Sequence, residues 1–272
     1  MNEVKRFLAD TSDEQFPLQD SFSKESLFER IAKYDDSASD LSGLMSCLAF
    51  WAAPAHKSVL QKAISRLTDR FDVQSGIKAW LALRWYPIVR SLYCCGIAAV
   101  DGQRYDSLSM ILFTKLGTSS PHEKEKAFIE AVTDGLAELL SLEVFKQLPG
   151  YERNYTPLSE YLFKILQPQL DDILFMGKNY ERSFDEFEIL LSLLAADARK
   201  QNDGWFWGPV GRFGWKQFNY PNPPFTRLVK EARSAGNEWP PLRAGLFGGS
   251  IDRFSEISEE FQKEILAHLR WY

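Results

Sequence analysis

Histidine and cysteine are scarce in this chain, with three of each in 272 residues. His56, His122 and His268 lie in separate segments, and none has a neighbour at ligand spacing. A zinc-type site, which needs converging nitrogen, sulfur or carboxylate ligands, therefore has no local framework. Cys47, Cys94 and Cys95 build no disulfide framework, and reduced, buried thiols suit a cytoplasmic chain. Long hydrophobic runs are missing too. The longest, Ser91 to Val100, is ten residues between Arg90 and Asp101, too short to cross a bilayer. The opening MNEVKRFLADTSDEQF mixes charges without an apolar core, which excludes a signal peptide. The alternating β-branched pattern of strands is absent, save for short pieces near Trp205 to Trp215. No GxGxxG or Walker A sequence occurs, no Ser-His-Asp or Cys-His arrangement can be read from spacing, and no cofactor is implied.

The composition is that of an ordinary globular protein, 45% hydrophobic and 25% charged. A chain of this length can bury a sizeable core, either as one helical domain over 1–272 or divided into 1–150 and 151–272. The periodicity predicts an all-α fold: an antiparallel helical bundle or a helical-repeat-like array, with an aromatic-rich loop near 205–225. In order, helices are expected around Val4 to Leu8, from a Ser26/Glu29 cap through Ile31, from Leu41 to Ala53, and from Val59 to Phe71. Asp35 to Asp40, small and acidic, reads as a loop. Ile77 to Val100 follows, kinked or split at Pro87, then Asp101-Gly102 turns the chain into a helix from Tyr105 to Leu116. Pro121 to Leu148, Phe225 to Ala235 and Ser255 to Trp271 complete the outer pattern.

The most strongly patterned stretch is Thr156 to Lys216. Thr156-Pro157 is a helix start, because threonine can accept first-turn amides and proline at the first position gives up no needed donor. Pro168 predicts a kink or break, and Gly177 a stop. Ser183 with Glu186 fits a capping box, and Phe184, Phe187, Leu190, Leu191 and Leu194 then recur at helical spacing. Asp185, Glu186 and Glu188 fall off that stripe and read, with Asp197 and Asp171-Asp172, as a solvated face. Asp203-Gly204 signals the next turn.

From Trp205 to Phe225 there are eight aromatic residues in 21. Gly208, Gly211 and Gly214 recur every third position around Arg212. These glycines are expected to let the backbone pass close to large rings rather than to cradle a phosphate. The aromatic side chains read first as a plug over the helices, and second as a partner surface. Candidate binding residues are Trp205, Trp207, Arg212, Trp215 and Lys216. Arg212 can stack on rings while its donor fork meets a carboxylate or phosphate; an internal ion pair to a neighbouring helix is the simpler expectation. The net charge is −5, yet residues 204–249 hold six basic against two acidic residues, a local +4.

Two resemblances accompany these residues. GIAAVDGQRYDSL is similar to the helix-turn-helix of tetratricopeptide repeats, although no second copy follows at their 34-residue period. FDEFEILLSLLAADAR followed by WGPVGRFGWK resembles the helical accessory region of some bacterial multidomain proteins, including proposed anti-phage defence proteins, over about Leu148 to Lys216. That resemblance implies a sensing or assembly role beside a separate catalytic partner, and carries no catalytic residues. The leading expectation is a non-enzymatic scaffold, adaptor or sensor that binds a protein partner or a second copy of itself. Nucleic-acid binding through 204–249, with rings stacked on bases, is the alternative; an enzyme site assembled from scattered residues is the third.

Overall fold

A computed structural model describes residues 1–69, 75–117, 125–202 and 204–269. His122, Asp203 and the expected helix limits at Phe71, Pro121 and Trp271 lie outside the described residues. The described residues are helical in the order α1 (Asn2–Asp10), α2 (Lys24–Trp51), α3 (Lys57–Thr68), α4 (Lys78–Leu83), α5 (Tyr86–Asp101), α6 (Tyr105–Leu112) and α7 (Phe128–Ser141). After these come α8 (Pro157–Leu174), α9 (Tyr180–Asn202), α10 (Arg212–Asn219), α11 (Pro224–Ala235), α12 (Pro240–Arg243) and α13 (Ile251–Glu264). Among them there is no strand, only an isolated bridge between Lys115 and Ala127, so the all-α reading holds and the strand pieces near Trp205 are absent.

Two helices form the centre, and the sequence explains why. In α5 every residue from Tyr86 to Val100 is buried, since its faces are apolar on all sides, as a helix surrounded by others requires. Pro87 sits in its first turn and separates it from α4, as the proline predicts. In α9 every residue from Ser183 to Asp197 is buried. Around these run α2 and α8. Contacts between α2 and α5 advance together, from Asp35 with Tyr86 to Ser42 with Ser91, so these helices point the same way. So do α2 and α8, where Asp35 meets Tyr161 and Ser39 meets Gln169. The last of the four, α9, runs against α5, for Glu188 meets Tyr93 while Ser183 meets Asp101. Gly96 makes the α5–α9 crossing close, because a Cβ there would collide with the Phe187 ring.

Several local expectations are overturned. The loop at Asp35 to Asp40 does not exist; α2 continues through it for 28 residues. Asp35 is taken up by the Tyr86 and Tyr161 hydroxyls and by Arg90 Nε at 3.2 Å, while Ala38, Ser42 and Gly43 are small enough to admit α5 and α8. The cap of α2 is Ser23, not the Ser26/Glu29 pair: Ser23 Oγ accepts from the Ser26 amide and Ser26 Oγ from the Ser23 amide. Pro168 does not break α8. It lies on the exposed side, where water can take the carbonyl that proline leaves without a donor. Pro157 does open α8, but Thr156 makes no side-chain cap, and α8 stops at Phe175 rather than Gly177. Ser183 is not an N-cap. It lies one turn inside α9, where its hydroxyl donates to Asp101.

Candidate functional site

The aromatic stretch is not one loop. Residues 204–211 carry no regular secondary structure, and Arg212 to Asn219 then form α10, which lies against α9 and α11. Two glycines make that docking close. A Cβ at Gly208 would strike the Ser192 carbonyl, and one at Gly211 the Glu188 carboxylate. Glycine is thus needed mainly for approach to α9 itself, although a Cβ at Gly208 would also meet the Phe261 ring at 3.1 Å. Ser192 Oγ donates to the Pro209 carbonyl and ties the same segment down.

Glu188 is the anchor of this arrangement. Its carboxylate is 1% exposed and lies at the start of α10, where Oε2 accepts from the Arg212 amide at 3.0 Å. Oε1 accepts from the Ser159 hydroxyl at 2.7 Å and the Tyr93 hydroxyl at 3.0 Å. The carboxylate therefore joins α5, α8, α9 and α10, and caps an amide that α10 cannot satisfy internally. Burial pushes its pKa up to about 7; the donated hydrogen bonds of Ser159 and Tyr93 oppose that rise and the nearby charge of Asp185 adds to it. A carboxyl of this kind can serve general acid–base chemistry when a substrate reaches it. Here none can: the adjoining cavity, bounded by Thr156, Ser159 and Gly211, is about 20 Å³, room for one water.

One to two turns earlier in α9 lies the second cluster. Lys216 Nζ, in a side chain also 1% exposed, donates to both oxygens of Asp185 at 2.8 and 2.6 Å and to Glu181 Oε1 at 2.8 Å. The Arg212 guanidinium, itself buried, lies 3.4 Å over the Phe163 ring. It pairs with Glu160 at 3.6 Å and Glu181 at 3.5 Å. The spacing explains the match: Asp185 and Glu188, three apart on α9, face the start of α10, from which Arg212 and Lys216 project one turn apart. Arg212 thus makes the internal ion pair and ring stack expected of it, with Phe163 of α8 as the ring.

Of the carboxylates assigned above to a solvated face, Asp172 is exposed and Asp171 partly so, while the four on α9 are interior groups. Besides Asp185 and Glu188, Glu186 is buried and accepts from the Tyr105 hydroxyl at 2.5 Å. Asp197 is buried against Arg253, at 2.8 Å. Burial raises the pKa of Asp185, Glu186 and Asp197 alike.

The five candidate binding residues are placed in three ways. Arg212 and Lys216 are enclosed, as described. Trp215 is half-buried, with its indole N–H donating to Glu160 at 2.9 Å and its ring beside Tyr220. Trp205 is 58% exposed, and Trp207 is half-buried beside it in a stacked arrangement. The Arg199 guanidinium lies over both rings at 5.2 and 4.9 Å and donates to Asp134 at 2.6 Å. Phe218 and Tyr220 are also exposed. Of the other basic residues in 204–249, Arg233 pairs with Glu259 at 2.7 Å and Arg243 with Glu238 at 3.8 Å.

Sequence reasoning missed Glu188, Tyr93 and Ser159 as a unit, because their contacts span 95 and 29 positions. The available signal was the charge complementarity of Asp185/Glu188 with Arg212/Lys216. No helix among the described residues is long and apolar enough to cross a membrane. Comparison with protein-family models, curated proteins and solved structures finds no match to this chain.

Proposed function

We propose that this chain is a helical protein-interaction module, a scaffold, adaptor or sensor subunit that works through its surface. One observation carries the reading: the ionisable side chains that could do chemistry are turned inward and spent on each other, while large apolar side chains are turned out. Glu188, Asp185, Lys216 and Arg212 hold α10 to α9, and Trp205, Phe218, Tyr220, Leu44, Trp51 and Phe175 face solvent. Exposed aromatic residues of this size are the side chains that dominate protein contacts. A place in a bacterial defence complex and a cytoplasmic setting belong to the same proposal; the first rests on the resemblance of Leu148 to Lys216, the second on the free cysteines. The nucleic-acid alternative is weakened by the same geometry, since Arg212 and Lys216 cannot reach a phosphate from the interior. The test is affinity capture from the native host on the purified chain, with nuclease treatment and a high-salt wash. A stoichiometric protein that survives both supports the module. Nucleic acid that is recovered without nuclease and lost with salt would reverse the order of the two readings.

A further inference from the structure

A groove of about 680 Å³ runs between α1, α2 and α8. Its floor holds Gly43, Cys47 and Ile173, and its rim holds Glu3, Arg6, Asp40 and Asp172. Gly43 keeps α8 close: a Cβ there would meet the Ile173 side chain at 3.1 Å. Along the same side of α2 stand Leu44, 50% exposed, and Trp51, 57% exposed, with half-buried Cys47 and Leu48 between them. Spacings of three, four and seven put these four on one face. That is the pattern of a helix that buries a stripe, yet among the described residues no element covers it.

The end of α8 adds a second, independent sign. Phe175 closes that helix in the left-handed conformation, with φ 56°, a position glycine or asparagine usually fills. Its ring is 87% exposed. A left-handed phenylalanine is strained, and here no burial of the ring offsets that strain. Ile173, two residues earlier, lines the groove, and Phe175 follows it at the same end of α8.

We infer that this face is the docking site for a basic amphipathic helical segment of another protein. The rim decides the charge. Glu3, Asp40 and Asp172 stand against Arg6 alone, and Arg6 is already within 2.6 Å of both Glu3 and Asp40. A second copy would bring the same acidic rim against itself, in a chain whose net charge is already −5. The length decides the size. From Ser39 to Trp51 the face extends about 18 Å, which accommodates about twelve residues of a partner helix. Such a segment would set apolar residues at i, i+3 or i+4, and i+7 into the groove, in the helix-in-groove mode, with lysine or arginine over Asp40 and Asp172.

This assignment rests on the protein-interaction reading, and its test separates the two. A display library of random 16-residue peptides is selected on the intact chain, and enriched peptides are synthesised with a fluorophore for anisotropy titration. Enrichment of the apolar spacing with lysine or arginine is expected. Asp172→Lys should then weaken the selected peptides at least tenfold and favour peptides with aspartate or glutamate instead. Phe175→Gly should weaken binding at least tenfold while raising the melting temperature, an opposition that simple misfolding cannot produce. Selection of nothing, peptides without basic bias, or binding indifferent to Leu44→Glu and Phe175→Gly would overturn the groove. Dimerisation of the chain that Leu44→Glu abolishes would overturn the basic partner in favour of a second copy. A host protein still captured by the Leu44→Glu variant would leave the module standing without this surface.

Discussion

Replacing Lys216 by methionine should cost far more than its position near the end of a short helix suggests. The side chain is buried and its ammonium lies within 2.8 Å of both Asp185 and Glu181. At an effective dielectric constant of about 20, unit charges about 2.7 Å apart attract by about 6 kcal/mol. Desolvation of both groups consumes much of that, so the pair adds little in net terms. Breaking it is another matter, because methionine leaves Asp185 buried without a cation. Removal of one partner of a buried pair costs about 3–5 kcal/mol. Asp185→Leu alone should cost less, since Lys216 keeps Glu181, which is half open to water. The double variant Lys216→Met/Asp185→Leu replaces the pair by apolar groups and should recover most of the loss. Urea denaturation followed by circular dichroism reads all three, provided the m-value stays constant. A Lys216→Met cost below about 1 kcal/mol, or a double variant as unstable as the sum of the singles, would refute the buried ion cluster.

Glu188 sets a pH dependence of definite sign. It holds its proton to about 7 in the folded chain, against an ordinary value of 4.5. Between these values the folded state binds more protons than the unfolded one, so its contribution to stability falls as pH rises from about 4.5 to about 7. Subtracting the urea midpoints of Glu188→Gln from those of the native chain should isolate that limb, since the other buried carboxylates are common to both; a flat difference would contradict the assignment. Gly211→Ala places a methyl group into the Glu188 carboxylate and should destabilise by about 1–3 kcal/mol, as overpacking does, measured as a lower melting temperature. Maleimide on the native chain should label Cys47, which is partly exposed, and spare Cys94 and Cys95. Burial also pushes the Cys94 thiol up to about 11. Mass spectrometry showing equal labelling of Cys47 and Cys94 would contradict the packing of α5.

What was legible in the sequence was whatever periodicity or a local turn determines. The apolar stripe of α9, the split at Pro87, the Pro157 start and the helical class all follow from neighbours within a turn or two. What was not legible depends on partners remote in the chain. Asp185 and Glu188 look like a polar face, because acidic side chains on a helix usually are; they become interior only because Lys216, Arg212 and Tyr93 arrive from 31, 24 and 95 positions away. Asp35 to Asp40 has the composition of a loop, but small and acidic residues also suit a helix packed closely by two others that bring tyrosine and arginine. The candidate site divides along the same line. Arg212 as an internal ion pair was readable from its surroundings, whereas Lys216 as a buried cation was not, since nothing within its own segment neutralises it. Gly208 and Gly211 were read correctly as points of close approach, but beside the Phe261 ring the groups approached were the α9 backbone and the Glu188 carboxylate.

The central claim is that this chain acts through outward apolar side chains and not through its buried carboxyls. The most direct measurement is quantitative affinity capture from the native host with three baits, each first shown to be folded by circular dichroism: the native chain, Glu188→Gln, and a variant combining Leu44→Glu, Phe175→Gly, Trp205→Ala and Phe218→Ala. A stoichiometric protein partner is expected on the native and Glu188→Gln baits, and its loss from the surface variant. A partner that stays on the surface variant but leaves Glu188→Gln would contradict it and place the function in the interior.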